Sequence, residues 1–329
     1  MKARGFRIDR QGKTHAAELT EWTVPDPAPG EVTVAVEWSG VNYKDALAGT
    51  GRGAILRTFP LFGGIDLAGR IAASNDSRFK EGDAVLVTGC GLSETRNGGY
   101  TEYNTLDADI VVPLPDGLTT REAMGLGTAG FTAGLSLLRM EQLGQEPAKG
   151  PVLVTGASGG VGSLAIQIFS AAGYDVHAIT GKPERFDYLT ELGALQCISR
   201  QDLYWGERPL ESQRWAGAID SVGGEMLEGL LRVIAPWGNV ASCGLAGGFG
   251  LKTTVMPFII RGVSLIGINS AGCPMDLRLK VWERLSGDLK PALLENIVTR
   301  EITLEQLEDT FALLLDSHHV GRTVVRIGT

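Results

Sequence analysis

Cysteine and histidine are scarce in this chain, and neither is grouped. The four cysteines, Cys90, Cys197, Cys243 and Cys273, form no Cys-x-x-Cys pair, and the four histidines do not join them at ligand spacing. That argues against a zinc ribbon and for a reduced chain in a reducing compartment. Long apolar runs are also missing. No stretch reaches the ~18–20 uninterrupted apolar residues that span a bilayer. The opening residues, Met1-Lys2-Ala3-Arg4-Gly5-Phe6, lead into polar ones instead of an apolar signal core. A cytoplasmic protein without a membrane partner is expected. A basic excess is lacking too: 30 Lys and Arg face 38 Asp and Glu, a net charge of −8. That is a poor footing for general nucleic-acid binding.

Glycine, by contrast, is plentiful: 45 of 329 residues, about twice the usual ~7%. No collagen-like period accompanies it, so the glycines are expected to serve turns and close backbone approach. At ~100–200 residues per domain, the length predicts two domains. The first third reads as β-rich. Residues 32–38 alternate at period 2 behind a proline-rich turn, and further strands are expected at 67–73, 84–88, 100–105 and 110–113. Glycines and prolines punctuate them, as in a small barrel or sandwich. Thr119-Thr120-Arg121-Glu122 then caps a helix running to residue 138.

From Pro151 onward, short apolar strands (152–155, 175–180, 195–199, 216–221, 238–244, 263–268) alternate with helical stretches such as 160–172 and 183–192. This predicts an α/β fold with a doubly wound parallel sheet. The tail offers a helix at 303–315 and a strand at 322–327 that could return to the first domain.

The most informative segment is Val152-Leu153-Val154-Thr155-Gly156-Ala157-Ser158-Gly159-Gly160-Val161-Gly162. A buried strand ends in a glycine loop and a helix follows at once. Gly156 permits the tight turn, Gly159 and Gly160 let backbone N–H groups approach a pyrophosphate, and Gly162 allows close helix packing. The anion then sits on the positive end of the helix dipole. An NAD site usually carries Asp or Glu about 20 residues on, for the ribose 2′-hydroxyl. Here the second strand ends Thr180-Gly181-Lys182-Pro183-Glu184-Arg185, with a hydroxyl and cations at its tip. These suit a 2′-phosphate, so NADPH is the expected cofactor.

With these residues in place, the chain resembles the medium-chain dehydrogenase/reductase superfamily over essentially its whole length. The match is carried by residues 25–31, Gly40-Val41-Asn42-Tyr43-Lys44-Asp45, Gly82-Asp83-Ala84-Val85, Gly98-Gly99-Tyr100-Thr101-Glu102-Tyr103, residues 127–133 and the loop 156–162. The resemblance implies a chaperonin-10-like β-rich domain at 1–122, a Rossmann domain at 123–295, and a segment 296–329 rejoining the first. Within the superfamily the chain most resembles the acrylyl-CoA reductase group, through residues 42–47, 62–69, 154–162 followed by Thr180-Gly181-Lys182, Cys197-Ile198-Ser199-Arg200 and Gly267-Ile268-Asn269-Ser270. Zinc members of the superfamily need a catalytic Cys and a Gly-His-Glu segment. The stretch here is Gly64-Ile65-Asp66-Leu67, so no metal is expected.

The resemblance implies reduction of the 2,3 double bond of a short enoyl-CoA, acrylyl-CoA to propionyl-CoA, with a CoA thioester as the small-molecule partner. A quinone or enone reductase on the same fold is the alternative, and a non-catalytic NADPH-binding protein the second. Cofactor contacts carried over by motif are Tyr43, Ser158, Gly159, Gly160, Val161, Thr180, Gly181, Lys182 and Arg200, with Leu245, Ile259 and Ser270 on resemblance alone. Tyr43 is the candidate proton donor, since a phenol carries its proton at neutral pH. Alternatively it packs on the nicotinamide while water gives the proton. Lys44 would tune Tyr43 or contact phosphate, and Asp45 would orient the pair; alternatively, Asn42 and Asp45 are turn-capping residues. CoA phosphates call for Arg at the cleft mouth, with Arg52, Arg57, Arg96, Arg261 and Arg322 as candidates. The family's habit of pairing an edge strand makes 263–268 the expected edge of a homodimer or higher homo-oligomer.

Overall fold

The structure is a computed structural model that describes residues 1–12 and 14–328. Two compact units divide the chain. One comprises Met1–Thr128, Ser270–Lys280 and Leu294–Thr329, the other Ala129–Asn269 and Val281–Leu293.

The second unit is an α/β layer structure. Its six strands are Val152–Val154, Val176–Thr180, Ala194–Ser199, Trp215–Asp220, Ile234–Ser242 and Ser264–Gly267. Numbered one to six in chain order, they lie in the spatial order 3-2-1-4-5-6 with every pairing parallel. The doubly wound Rossmann sheet expected from the strand–helix alternation is therefore present. The order reverses beside Val152–Val154, and a doubly wound sheet binds its ligands outside the carboxyl ends of the strands at such a switch point. Val152, Leu153 and Val154 are all buried, as a strand covered by helices on both faces must be. One core cluster gathers Leu153, Ile179, Trp215, Leu230, Leu231 and Val240.

The first unit is β-rich, as the chaperonin-10-like reading requires. A seven-stranded sheet is built around Glu31–Val41, which pairs antiparallel with Asp66–Ser74, Tyr103–Asp107 and Arg322–Arg326. The C-terminal strand thus lies beside Glu31–Val41. The short strands Leu61–Phe62 and Val298–Ile302 were not foreseen, nor were Lys2–Gln11 and Thr14–Thr23, which pair with each other along their whole length. The charged residues of this pair mask the alternation. Ala3, Gly5, Phe6 and Ile8 are buried, so both faces of Lys2–Gln11 are partly covered, and Phe6 and Ile8 join Tyr100, Leu307 and Phe311 in a core cluster.

Other differences from the sequence expectations have local causes. The helix Thr120–Gln142 is interrupted at Gly127, whose φ is 50° and ψ −156°. Pro183 starts a 3-10 turn, Pro183–Arg185, ahead of the short helix Phe186–Glu191. The helix Met275–Ser286 went unnamed in the sequence reading. Its Arg278 is buried and donates to Thr88 O (2.7 Å) and Thr88 Oγ1 (3.0 Å) and to the carbonyls of Ser270 (3.0 Å) and Ala271 (3.2 Å). This is why residues 270–280 belong with the β-rich unit, and not with the Rossmann unit where the 123–295 boundary had put them. Among the described residues, no helix is long and apolar enough to cross a membrane.

Candidate active site

The glycine loop leaves the central strand of the Rossmann unit. Gly156 has φ 58°, a left-handed turn that glycine adopts without strain, and a Cβ there would stand 2.5 Å from Ser221 Oγ. Gly162 faces the loop so closely that a Cβ would lie 2.4 Å from Gly156 O and 2.6 Å from Ala157 Cα. The helix Gly160–Ala171 starts directly after Gly159. Its first-turn N–H groups have no acceptor within the helix and so face the loop as an anion site. The residues present fit a dinucleotide pyrophosphate.

The tip of the second strand is tied to this loop. Ser158 and Thr180 share a hydroxyl–hydroxyl hydrogen bond of 3.1 Å, and the Lys182 backbone N donates to Thr180 Oγ1 at 3.1 Å. Arg200 lies against Gly181, where a Cβ would meet its Nη2 at 3.2 Å. Burial pulls the Lys182 ammonium below its ordinary value, and the nearby Arg185 cation pulls the same way. Thr180, Gly181, Lys182 and Arg200 are therefore brought to one place, and that place is cationic.

Asp220, which sequence reasoning missed, stitches the neighbouring loops together. Its Oδ1 accepts from Thr155 Oγ1 (2.6 Å) and its Oδ2 from Gly223 N (2.9 Å), while Ser221 N donates to Thr155 Oγ1 (3.1 Å). Burial raises the Asp220 carboxyl, and these hydrogen bonds oppose the rise. An Asp at the end of a predicted strand, followed within three residues by Gly-Gly, was the available signal. Leu245 and Ile259 lie in the same unit and are 59% and 71% exposed. Leu245 is beside the Gly223 turn, whereas Ile259 is on the helix Met256–Arg261.

Tyr43 and Ser270 belong to the β-rich unit. Tyr43 is the first residue of the helix Tyr43–Thr50 and is 41% exposed. Its two companions serve other groups. Lys44 forms an ion pair with Glu94. Asp45 is buried and closes the helix start: Oδ2 accepts from Asn42 N (2.9 Å) and Oδ1 from Ile65 N (2.9 Å).

Behind the helix lies a buried polar set that sequence distance had hidden. Asp66 accepts from Asn42 Nδ2 (2.8 Å), Thr128 N (3.0 Å) and Thr128 Oγ1 (2.5 Å), and faces Arg322 Nη2 at 3.8 Å. A Cβ on Gly127 would stand 2.6 Å from both Asp66 Oδ2 and Arg322 Nη2, which is why the helix breaks at a glycine there. Burial pushes the Asp45 carboxyl up to about 7, with the charge of Asp66 adding to the rise and the Asn42 and Ile65 hydrogen bonds opposing it. Burial holds the Tyr100 phenol well above its ordinary value and pulls the Arg322 guanidinium down.

This corrects one expectation. Arg322 is buried within the β-rich unit, so it is not a surface anchor for CoA phosphates. Arg261 is occupied by the carbonyls of Arg232 and Ile234, both at 3.0 Å, and Arg96 by Asp107 at 2.8 Å. Arg52 and Arg57 are exposed on the segment after the helix Tyr43–Thr50.

Comparison with known proteins agrees with this layout. Residues 28–116 match the alcohol dehydrogenase GroES-like domain, and residues 160–287 match the zinc-binding dehydrogenase family. The second description implies zinc. Among the described residues, no three His, Cys, Asp or Glu side chains are grouped to hold a metal ion, and the donor set does not fit one. The acrylyl-CoA reductase AcuI of Ruegeria pomeroyi is 48% identical over 97% of this chain and 96% of its own length. The Bacillus subtilis protein YhfP, provisionally named a quinone oxidoreductase, is 51% identical over 90% of each chain. Its crystal structure with NAD bound superimposes with a TM-score of 0.96 over 99% of this chain and 100% of that one. The YhdH oxidoreductase of Salmonella enterica, solved with NADP, is 43% identical and gives a TM-score of 0.94 over 100% of both chains.

Proposed function

Because this chain belongs to the medium-chain dehydrogenase/reductase superfamily, in the group with the acrylyl-CoA reductases, we propose that it is an NADPH-dependent reductase of the 2,3 double bond of a short enoyl-CoA. Acrylyl-CoA to propionyl-CoA is the expected reaction. The observation that carries this reading is the glycine loop joined to a strand tip bearing Lys182 and Arg200, in a chain similar along nearly its whole length to AcuI.

When bound, the cofactor supplies hydride to the β-carbon of the thioester. The residues of the chain bind and orient. The amides of Gly160 and Val161 hold the pyrophosphate beside the Gly159 turn, Ser158 and Thr180 fix the loop against the strand tip, and Lys182 and Arg200 take the 2′-phosphate. Leu245, Ile259 and Ser270 complete the cofactor contacts. Tyr43 provides a phenolic proton for the α-carbon. Lys44 and Asp45 act on it indirectly, one through Glu94 and the other through the helix start. The exposed Arg52 and Arg57 are the remaining cations for CoA phosphates.

The enzyme acts in the cytoplasm as a homodimer. Ser264–Gly267 is the outer strand of its sheet, and exposed Trp237 and Ile260 lie in the flanking segments.

The likeness to YhfP favours a second reading, reduction of quinones or small enones. Comparing kcat/KM for acrylyl-CoA and for acrolein, each with NADPH, separates the two. A strong preference for the CoA thioester supports the proposal, and a ratio near one supports the general reductase.

A further inference from the structure

Asn42 has both polar atoms of its side chain engaged. Nδ2 donates to Asp45 Oδ2 (3.1 Å) and Asp66 Oδ2 (2.8 Å), and Oδ1 accepts from Arg322 Nη1 (3.0 Å). Two carboxylates on the nitrogen side and a guanidinium on the oxygen side admit one orientation of the amide. A flip would set Oδ1 against two acceptors and Nδ2 against a donor. The backbone of the same residue is held as well, through its N–H to Asp45.

The partners are fixed in turn. Asp66 is gripped by Thr128, while Arg322 donates to the carbonyls of Val41 (2.9 Å) and Gly125 (3.1 Å). Asp45, Asp66 and Arg322 are all buried. Removing ions from water costs several kcal/mol each, and capping the helix needs only Asn42 and Asp45, not Asp66 or Arg322. What the polar set adds is direction. It locks the residue immediately before Tyr43, the exposed first residue of the helix.

We propose that Asn42 is a positioning residue that fixes the phenol of Tyr43, with Asp45, Asp66 and Arg322 as its socket. The proposal rests on the reading of Tyr43 as the phenol at the reacting centre.

The test places 3-fluorotyrosine at position 43 and reads its ¹⁹F resonance in the full-length protein, alone and with Asn42→Ala or Asp66→Asn. A single narrow line should broaden or split in both variants. In the unlabelled enzyme kcat for acrylyl-CoA should fall about tenfold to a hundredfold, the penalty of a small misplacement, while KM for NADPH holds. Added to Tyr43→Phe, Asn42→Ala should cost little more, because both remove the same contribution. An unchanged ¹⁹F line in a folded variant overturns the socket, as does a full multiplication of the two effects on kcat. Where one variant fails to fold by circular dichroism, the other carries the test. If no enoyl thioester is reduced but the line still responds, the functional reading fails and the socket stands.

Discussion

The two candidate regions hold their working atoms by opposite means. In the Rossmann unit the site is mostly backbone: a glycine turn, the free amides of a helix start, and two hydroxyls joining loop to strand. In the β-rich unit the Tyr43 helix is set by buried charge, two carboxylates and a guanidinium around one amide. A backbone site can be local, because consecutive residues supply consecutive amides. A socket of side chains must be assembled from far along the chain, and each member depends on the others being present.

The sharpest way to break this comparison is Tyr43→Phe, which removes only the hydroxyl. A fall in kcat of roughly 10²–10⁴-fold is expected with NADPH affinity unchanged. Unaltered kcat, measured with acrylyl-CoA at saturation, would pass the proton to water.

Next comes the charge stored behind the helix. The Asp45 carboxyl is raised in the folded protein to about 7 from an ordinary value near 3.8. The folded state therefore keeps a proton that the unfolded chain releases. The associated stability is complete below about pH 4 and is lost as the pH climbs to about 7. The full span is on the order of 4 kcal/mol. Asp66, Arg322 and Tyr100 face this group, and Asp45→Asn removes its titration. Denaturant titrations between those limits should show wild type losing stability with rising pH relative to the variant. Parallel curves would contradict the burial argument.

The smallest effect is expected at the strand tip. Lys182→Ala should weaken NADPH roughly tenfold to a hundredfold, the worth of a charged hydrogen bond, and leave NADH almost untouched. Equal losses for both nucleotides, read by calorimetry, would remove the 2′-phosphate assignment. The NAD-bound YhfP structure makes this comparison informative.

The difference between the regions also governs what could be read in advance. Strand, glycine loop and helix at 152–172 are contiguous, and hydrophobic runs with glycine at fixed places report them directly. The strand pair Lys2–Gln11 and Thr14–Thr23 was missed, since its charged residues break the apolar alternation and only its partners reveal its burial. Asp45 read either as a companion of Tyr43, two residues away, or as a capping residue, and the structure supports the cap. In the fold it faces inward, toward Asn42 and Ile65. Arg322 read as one more surface cation, and its burial beside Asp66 depends on the C-terminal strand pairing with Glu31–Val41.

By itself, then, the sequence determined the doubly wound sheet, the dinucleotide loop and the absence of an acid at the second strand tip, because each is set by neighbours within a few residues. Only the tertiary structure decided which charges face solvent and which are enclosed, and it joined residues 42, 45, 66, 128 and 322 into one buried set. The reason is physical. Backbone conformation follows local sterics and hydrogen bonding, whereas the energy of a charge depends on everything packed around it, wherever in the chain that comes from.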